Sequence, residues 1–142
     1  MSSPKESRPE LDVLRANAAF YRAFTQGDFA AMSALWAEQV EVTCFHPGAT
    51  LLRGRSAVLG AWKQIMGDPA PFEMRCDQAQ VQLLPSCAIV TCYEGNGGQP
   101  AHLAATNVFV LEAGQWRMLH HHAGPLSRPL ARPAGPRGSS LN

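Results

Sequence analysis

The sequence lacks long apolar runs and any large excess of charge of one sign. No apolar stretch approaches the roughly 20 residues that a membrane-spanning helix needs, so no membrane partner is expected. Residues 1–10 are polar and lack the apolar core of a secretory signal. The net charge is +1 and three arginines lie in the last stretch, which leaves a mildly acidic body. Such a body matches phosphate backbones poorly, so we expect no nucleic-acid partner. The missing membrane span and secretory signal predict a cytoplasmic protein.

Cysteine pairs of the Cys-x-x-Cys type are also missing. The four cysteines have no spacing typical of a zinc site. In a reducing compartment we expect them to be small core side chains, and we expect no cofactor. Apolar residues make up 46% of the 142-residue chain, which is enough for one buried core and excludes a wholly disordered protein.

Apolar residues at helical spacing dominate the first half of the chain. They predict a first helix from Leu11 to Gly27 and a second over about residues 29–38. A third helix, capped by Ser56, contains Trp62. The stripe of the first helix consists of Val13, Asn17, Phe20 and Phe24.

Strands are predicted between and after these helices. Two short ones precede the third helix, and four longer ones follow it as an antiparallel meander. Their predicted ranges are 40–45, 50–53, 72–84, 87–94, 102–111 and 115–123. The turn His46-Pro47-Gly48 lies between the short strands. His46 lies either at the mouth of a pocket or in solvent as a turn residue, and we favour the second interpretation. Helices followed by a meander indicate an α+β domain with helices on one face of a curved sheet.

The chain is predicted to hold a single domain. Residues 1–10 form a flexible arm, residues 11–124 the folded domain, and residues 125–142 a disordered tail. The tail is rich in proline, arginine, glycine and serine, and its prolines exclude a helix or central strand.

Several short motifs carry a resemblance to a known family. They are Gln26-Gly27-Asp28-Phe29, His46-Pro47-Gly48, Leu52-Arg53-Gly54-Arg55, Ala105-Thr106-Asn107-Val108-Phe109, Gly114-Gln115-Trp116-Arg117 and His120-His121-His122. At these residues the chain resembles SnoaL-like members of the nuclear-transport-factor-2-like superfamily, in the branch related to the association (hub) domain of calcium/calmodulin-dependent kinases. The resemblance implies a cone-shaped curved antiparallel sheet wrapped around the N-terminal helices, a cystatin-like α+β barrel with a pocket open at one end. It also implies a homodimer formed through the outer face of the sheet.

The register of the last hairpin decides which histidine faces that pocket. A two-residue turn at Ala113-Gly114 pairs Asn107 with His120, whereas a three-residue loop with a glycine bulge pairs Asn107 with Leu119. We favour the longer loop because alanine disfavours positive φ. This register places Asn107, Phe109, Leu119, His121 and Ala123 on one face and Trp116, Met118, His120 and His122 on the other. The resemblance places the first face inside, although Asn107 and Ala123 stand where the kinase hubs have arginines, so a hub-like anion site is not expected.

These positions define the candidate site. His121 is the predicted catalytic acid–base residue, with Asn107 as a polar anchor. Phe109, Glu94 and Trp62 complete the predicted ligand-binding set, Glu94 on condition that its strand turns Ala88, Val90 and Cys92 inward. Ketosteroid isomerases of similar fold use a deep aspartate, and the last two strands contain none.

The leading hypothesis is a protein that binds an unidentified small molecule in an apolar pocket, as an isomerase, dehydratase or hydrolase. The alternative is a non-catalytic association module that oligomerises. A third hypothesis is a zinc enzyme built on His120 and His122, which lie about 7 Å apart on one side of a strand. Alternatively, these two histidines are interface residues beside Trp116 and Met118 and bind no metal. We favour the interface interpretation of the two histidines.

Overall fold

The long first helix, α1 (Arg8–Gln26), buries one apolar face against the sheet. Its buried residues are Val13, Asn17, Phe20, Tyr21 and Ala23. The helix starts before the predicted Leu11, so part of the predicted arm is helical. The computed structural model describes residues 8–67 and 73–131, so residues 1–7 of the predicted arm and residues 132–142 of the predicted tail lie outside that range. Pro125, predicted to begin the tail, is instead the last residue of the final strand.

The second helix, α2 (Phe29–Leu35), is capped by the Asp28 side chain, which accepts from the backbone N–H of Ala31 at 3.0 Å. It is shorter than predicted because Trp36 is already extended and forms a bridge to Met118 of the sheet. The third helix, α3 (Arg55–Met66), has Gly54 as its N-cap. The prediction of Ser56 as the cap was therefore wrong. Gly67 is the C-cap of α3.

Six strands form one curved sheet, as the sequence predicted, although several bounds differ by a few residues. They are β1 (Thr43–Phe45), β2 (Leu52–Arg53), β3 (Met74–Leu83), β4 (Cys87–Asn96), β5 (Leu103–Glu112) and β6 (Gln115–Pro125). Their order is β2-β1-β6-β5-β4-β3; β1 pairs with β6 in parallel, and the other neighbouring strands of this list pair antiparallel. The inner face holds the core against α1. Within the described residues, no helix is both long and apolar enough to cross a membrane.

Two irregularities bend the sheet around α1. One lies in β3 at Gln78, a non-glycine residue with φ of 57°, where the register with β4 shifts. The other lies in β6 at Leu119, between the pairs Phe109–Met118 and Val108–His120. Such bulges increase the local twist and redirect side chains.

The register of the β5–β6 hairpin differs from both alternatives considered from sequence. The turn is the two-residue one, because Glu112 pairs with Gln115 and Ala113 adopts a φ of 50°. The bulge at Leu119 then pairs Asn107 with His121. The preferred three-residue loop was therefore wrong. Met118, predicted to face outward, is fully buried in the core, and Leu119 lies at the bulge.

Candidate functional site

A cavity of about 210 Å³ lies inside the cone, between α1, α3 and the inner face of the sheet. Its wall is largely aromatic. Phe20, Phe24 and Trp62 pack edge to face there, with ring centroids 5.1 and 5.4 Å from that of Trp62. The polar residues that line it are Tyr21, His46, Glu94 and His121. An apolar cavity with a few converging polar groups is the usual form of a small-molecule site.

His121 stands in the wall of this cavity and is only 3% exposed. Its Nδ1 lies 2.6 Å from the Oδ1 of Asn107 on the neighbouring strand. The Asn107 amide nitrogen donates to Asn17 Oδ1 at 2.8 Å and to the Tyr21 hydroxyl at 3.1 Å. Because an amide oxygen only accepts, Nδ1 of His121 carries the proton in this arrangement.

Burial sets the charge state of His121. Removal from water lowers its pKa to about 3, and the nearby His46 contributes to the lowering. The imidazole is therefore neutral at physiological pH. With the proton on Nδ1, the lone pair lies on Nε2. Within the described part of the chain this atom has no hydrogen bond, and its nearest charged neighbour is Glu94 Oε2 at 4.0 Å.

Glu94 is a second buried acid–base group of the cavity. The inward side chains of β4 are Ala88, Val90, Cys92 and Glu94, all buried, as the sequence prediction required. The Tyr21 hydroxyl donates to Glu94 Oε2 at 2.6 Å and lies 3.3 Å from the Cys92 sulfur. Burial raises the pKa of Glu94, and the Tyr21 hydrogen bond partly opposes that rise. Burial also raises the pKa of Tyr21, so this phenol stays protonated.

The predicted site residues do not all reach the cavity. Trp62, Glu94 and His121 line it, whereas Asn107 is fully buried behind His121 and acts on it through the hydrogen bond. Phe109 is fully buried in the core and is not among the residues that line the cavity.

His46 was wrongly interpreted as a solvent-exposed turn residue. It is half-buried, lines the cavity, and places its ring 4.7 Å from that of Trp62. Burial lowers its pKa. The parallel pairing of β1 with β6 brings this turn beside His121, a long-range contact without a local sequence signal.

Sequence reasoning also missed Tyr21 and Asn17 of α1 as functional residues. Tyr21 connects Asn107 to Glu94 and so completes the hydrogen-bonded chain from His121, and Asn17 accepts a branch of it from Asn107. One signal was present, because Asn17 interrupts the apolar stripe of α1 and a polar side chain buried there needs partners.

The outer face of the sheet carries His120 and His122. His120 Nδ1 lies 2.6 Å from the Thr43 hydroxyl, and the ring of His122 lies 4.7 Å from that of Phe45. The two histidine ring centroids are 6.3 Å apart. Among the described residues, no group of three or more metal-ligating side chains surrounds them. These residues do not by themselves complete a zinc site.

A curved sheet wrapped around a long helix, with an apolar cavity inside it, is the cone fold of the nuclear-transport-factor-2-like class. The chain belongs to the SnoaL-like domain family, whose model matches residues 13–127. This confirms the family resemblance and the α+β cone drawn from the sequence.

Two solved structures resemble the chain in both sequence and fold. An NTF2-like protein from Streptomyces avermitilis, described as a candidate dehydratase, is 34% identical, with a TM-score of 0.76 over 84% of this chain and 97% of that one. A candidate calcium/calmodulin-dependent protein kinase type II association domain from Thiobacillus denitrificans is 36% identical, with a TM-score of 0.67 over 79% of this chain and 93% of that one.

A curated relative comes from a plant. F-box protein SKIP8 of Arabidopsis thaliana is 27% identical over 113 residues, which cover 78% of this chain. The match covers 48% of the plant protein, so the chain spans about half the length of the curated relative that it matches.

Proposed function

We propose that the protein binds a small organic molecule in the cavity and catalyses an acid–base reaction on it, an isomerisation or a dehydration. The observation that carries this proposal is the placement of a neutral His121, with Nε2 free of hydrogen bonds to described residues, 4.0 Å from Glu94 in an apolar cavity. The likeness to the candidate dehydratase from Streptomyces avermitilis supports the same reaction class.

His121 is the acid–base catalyst in this proposal. Nε2 takes a proton from a carbon of the substrate, and the resulting imidazolium returns it. The low pKa of buried His121 makes the imidazolium a strong acid and the neutral imidazole a correspondingly weak base, so taking the proton relies on the nearby Glu94 carboxyl to stabilise the imidazolium. In an isomerisation the proton goes to another carbon; in a dehydration it goes to the departing hydroxyl, which leaves as water while the carbon–carbon double bond forms.

Glu94 and Asn107 support this proton shuttle. Asn107 is a positioning residue that holds the proton on Nδ1 and so directs the Nε2 lone pair to the substrate. The carboxylate of Glu94 stabilises the positive charge that His121 gains, since opposite charges interact strongly in an apolar cavity. The Tyr21 hydroxyl favours the ionised form of Glu94 through its hydrogen bond.

Native mass spectrometry of untagged protein isolated from its own host is the first test. We expect the protein with additional small-molecule mass, which identifies the compound for turnover assays. The matched variants His121→Gln and His122→Gln alter the buried histidine and its exposed neighbour. We expect turnover to be lost in H121Q and kept in H122Q. Unchanged turnover in H121Q, or protein without bound mass and without a stabilising compound in a screen, would contradict the proposal.

An association module is the second candidate function. It is favoured by the 36% identity to the candidate kinase association domain from Thiobacillus denitrificans. We propose that the chain forms a homodimer through the outer face of the sheet, where a groove of about 470 Å³ runs across β3 to β6. Thr106 lies in this groove. If this face joins two copies, light scattering should give the mass of a dimer for the wild type and of a monomer for Thr106→Arg. A larger closed ring without a bound compound would favour a protein that only associates.

The cysteines support a location in the cytoplasm. Cys44, Cys76, Cys87 and Cys92 are all free thiols. Free thiols persist where the compartment is reducing. Fluorescent tagging at either end tests this location, and a signal outside the cytoplasm would contradict it.

A further inference from the structure

We propose that the ligand of the cavity is an uncharged molecule with one ring and a hydroxyl group that donates to His121 Nε2. This inference rests on the proposed small-molecule site and narrows its ligand class by size, charge and hydrogen bonding. The hydroxyl contact describes the resting complex, and the ligand must shift within the cavity before Nε2 takes the carbon proton.

The size of the cavity limits the ligand to about one ring. An engineered cavity of about 150 Å³ in an apolar core binds benzene. The cavity here measures about 210 Å³, which leaves room for a ring with a few substituent atoms. Its wall offers the rings of Phe20, Phe24 and Trp62, and a flat ring packs well against such faces and edges.

The charges around the cavity favour a neutral ligand. No lysine or arginine is among the described residues that line it. A carboxylate or phosphate buried there would have no cation to pair with, and it would lie near the carboxyl of Glu94. An ammonium group would compete for Glu94 with Tyr21, whose hydroxyl already donates to Oε2 at 2.6 Å.

The unpaired polar atoms of the cavity wall indicate that the ligand carries a hydroxyl group. The chain through Asn107 leaves the Nε2 of His121 as an acceptor without a donor among the described residues. Trp62 supplies a second observation, because its Nε1 is buried without a hydrogen-bond partner in the same described part of the chain. A hydroxyl group donates and accepts, so one such group serves the acceptor and can also satisfy a neighbouring donor.

A matched series of tolyl compounds tests this class in solution. The probes are p-cresol, toluene, p-toluate and 4-methylbenzylamine. They share one ring and a methyl group, and they differ in the group para to the methyl: a hydroxyl, a hydrogen, a carboxylate or an aminomethyl group. Binding is followed through the indole N–H signal of Trp62 in ¹H–¹⁵N spectra, assigned with Trp62→Phe. We expect saturable binding of p-cresol, binding of toluene weaker by about tenfold, the worth of one hydrogen bond, and no saturation by either charged probe.

Two variants connect the hydroxyl preference to His121. The variant His121→Phe should bind p-cresol and toluene equally, whereas His122→Phe, altered on the outer face, should keep the preference. Circular dichroism checks the fold of each variant, and the wild-type series decides the question by itself if H121F does not fold.

Several results would overturn the inference. They are tighter binding of p-toluate or the amine than of p-cresol, equal affinity for toluene and p-cresol, or no shift with any probe. Native mass spectrometry separates failure of the ligand class from failure of the proposed function. A bound charged or multi-ring compound refutes only the ligand class. The absence of any bound mass, with no turnover, refutes the ligand class and the proposed function together.

Discussion

Asn107 and His121 face each other across β5 and β6, and the Asn107 Oδ1 lies 2.6 Å from the His121 Nδ1. Through this contact the amide selects one tautomer of a neutral histidine inside an apolar cavity. The same amide nitrogen donates to Asn17 and Tyr21, and Tyr21 donates to Glu94. One buried asparagine thereby connects the two acid–base groups of the site.

Replacement of Asn107 by leucine should destabilise the protein. It leaves His121 Nδ1 and Asn17 Oδ1 without Asn107 as a partner in the core, and each buried unsatisfied group costs roughly 1–3 kcal/mol. We expect the free energy of unfolding, measured by urea denaturation, to fall by at least about 2 kcal/mol. The control Gln82→Leu changes an exposed residue of β3 and should stay within about 0.5 kcal/mol. Equal effects of both variants would show that the network contributes nothing to stability.

The sequence predicted the helices and the meander because those depend on local periodicity. It could not predict the register of the last hairpin, since neither the bulge at Leu119 nor the positive φ of Ala113 leaves a pattern. Relative to a plain two-residue turn, a three-residue loop and a two-residue turn with a bulge each shift the inward–outward alternation of side chains on β6 by one residue. His121 was therefore placed inside correctly from a wrong register, whereas Met118 was placed on the wrong face. His46 was misinterpreted for a related reason, because the β1–β6 pairing that brings it to the cavity is long-range.

The hairpin turn provides a prediction about the register itself. Ala113 has a φ of 50° and Gly114 a φ of 79°, both in the left-handed region. Glycine adopts that region without the roughly 1–2 kcal/mol cost paid by an L-residue, although it loses more entropy on folding. Ala113→Gly should raise the melting temperature slightly, and Gly114→Ala should lower it. A three-residue loop would keep Ala113 at negative φ, and A113G would then destabilise.

Acid should destabilise the protein partly through His121. Its folded pKa of about 3 lies below the ordinary 6.5, so between these values the unfolded chain binds a proton that the folded chain does not. Stability is therefore lost as the pH falls through this window, by up to about 1.4 kcal/mol per pH unit.

The variant His121→Gln isolates this contribution. The raised pKa of Glu94 acts with the opposite sign, since that carboxyl contributes stability at low pH that is lost as the pH rises. Both proteins contain Glu94 and the half-buried His46, so the difference between their curves reports on His121. We expect H121Q to lose stability less steeply below pH 6 in urea titrations. Parallel curves would mean that His121 is not buried in its neutral form.

Removal of the Trp62 ring should be costly because it forms the wall of the cavity. The ring is 2% exposed and packs edge to face on Phe20 and Phe24. Trp62→Ala should cost about 3–5 kcal/mol of unfolding free energy, and Trp62→Phe clearly less. Trp116, half-buried at the end of β6, is the matched control, and Trp116→Ala should cost less than W62A. If denaturation gave equal losses for both alanine variants, the packing described for the cavity wall would be wrong.

The tautomer of His121 is the most direct test of the account. Protein with ¹⁵N-labelled histidine, measured at neutral pH by long-range ¹H–¹⁵N correlation and assigned with H121Q, reports which ring nitrogen carries the proton. The hydrogen bond to Asn107 predicts a protonated Nδ1 and an unprotonated Nε2, with no change until strongly acidic pH. A proton on Nε2, or an imidazolium that forms near pH 6.5, would contradict the assignment of His121 as the base of the cavity.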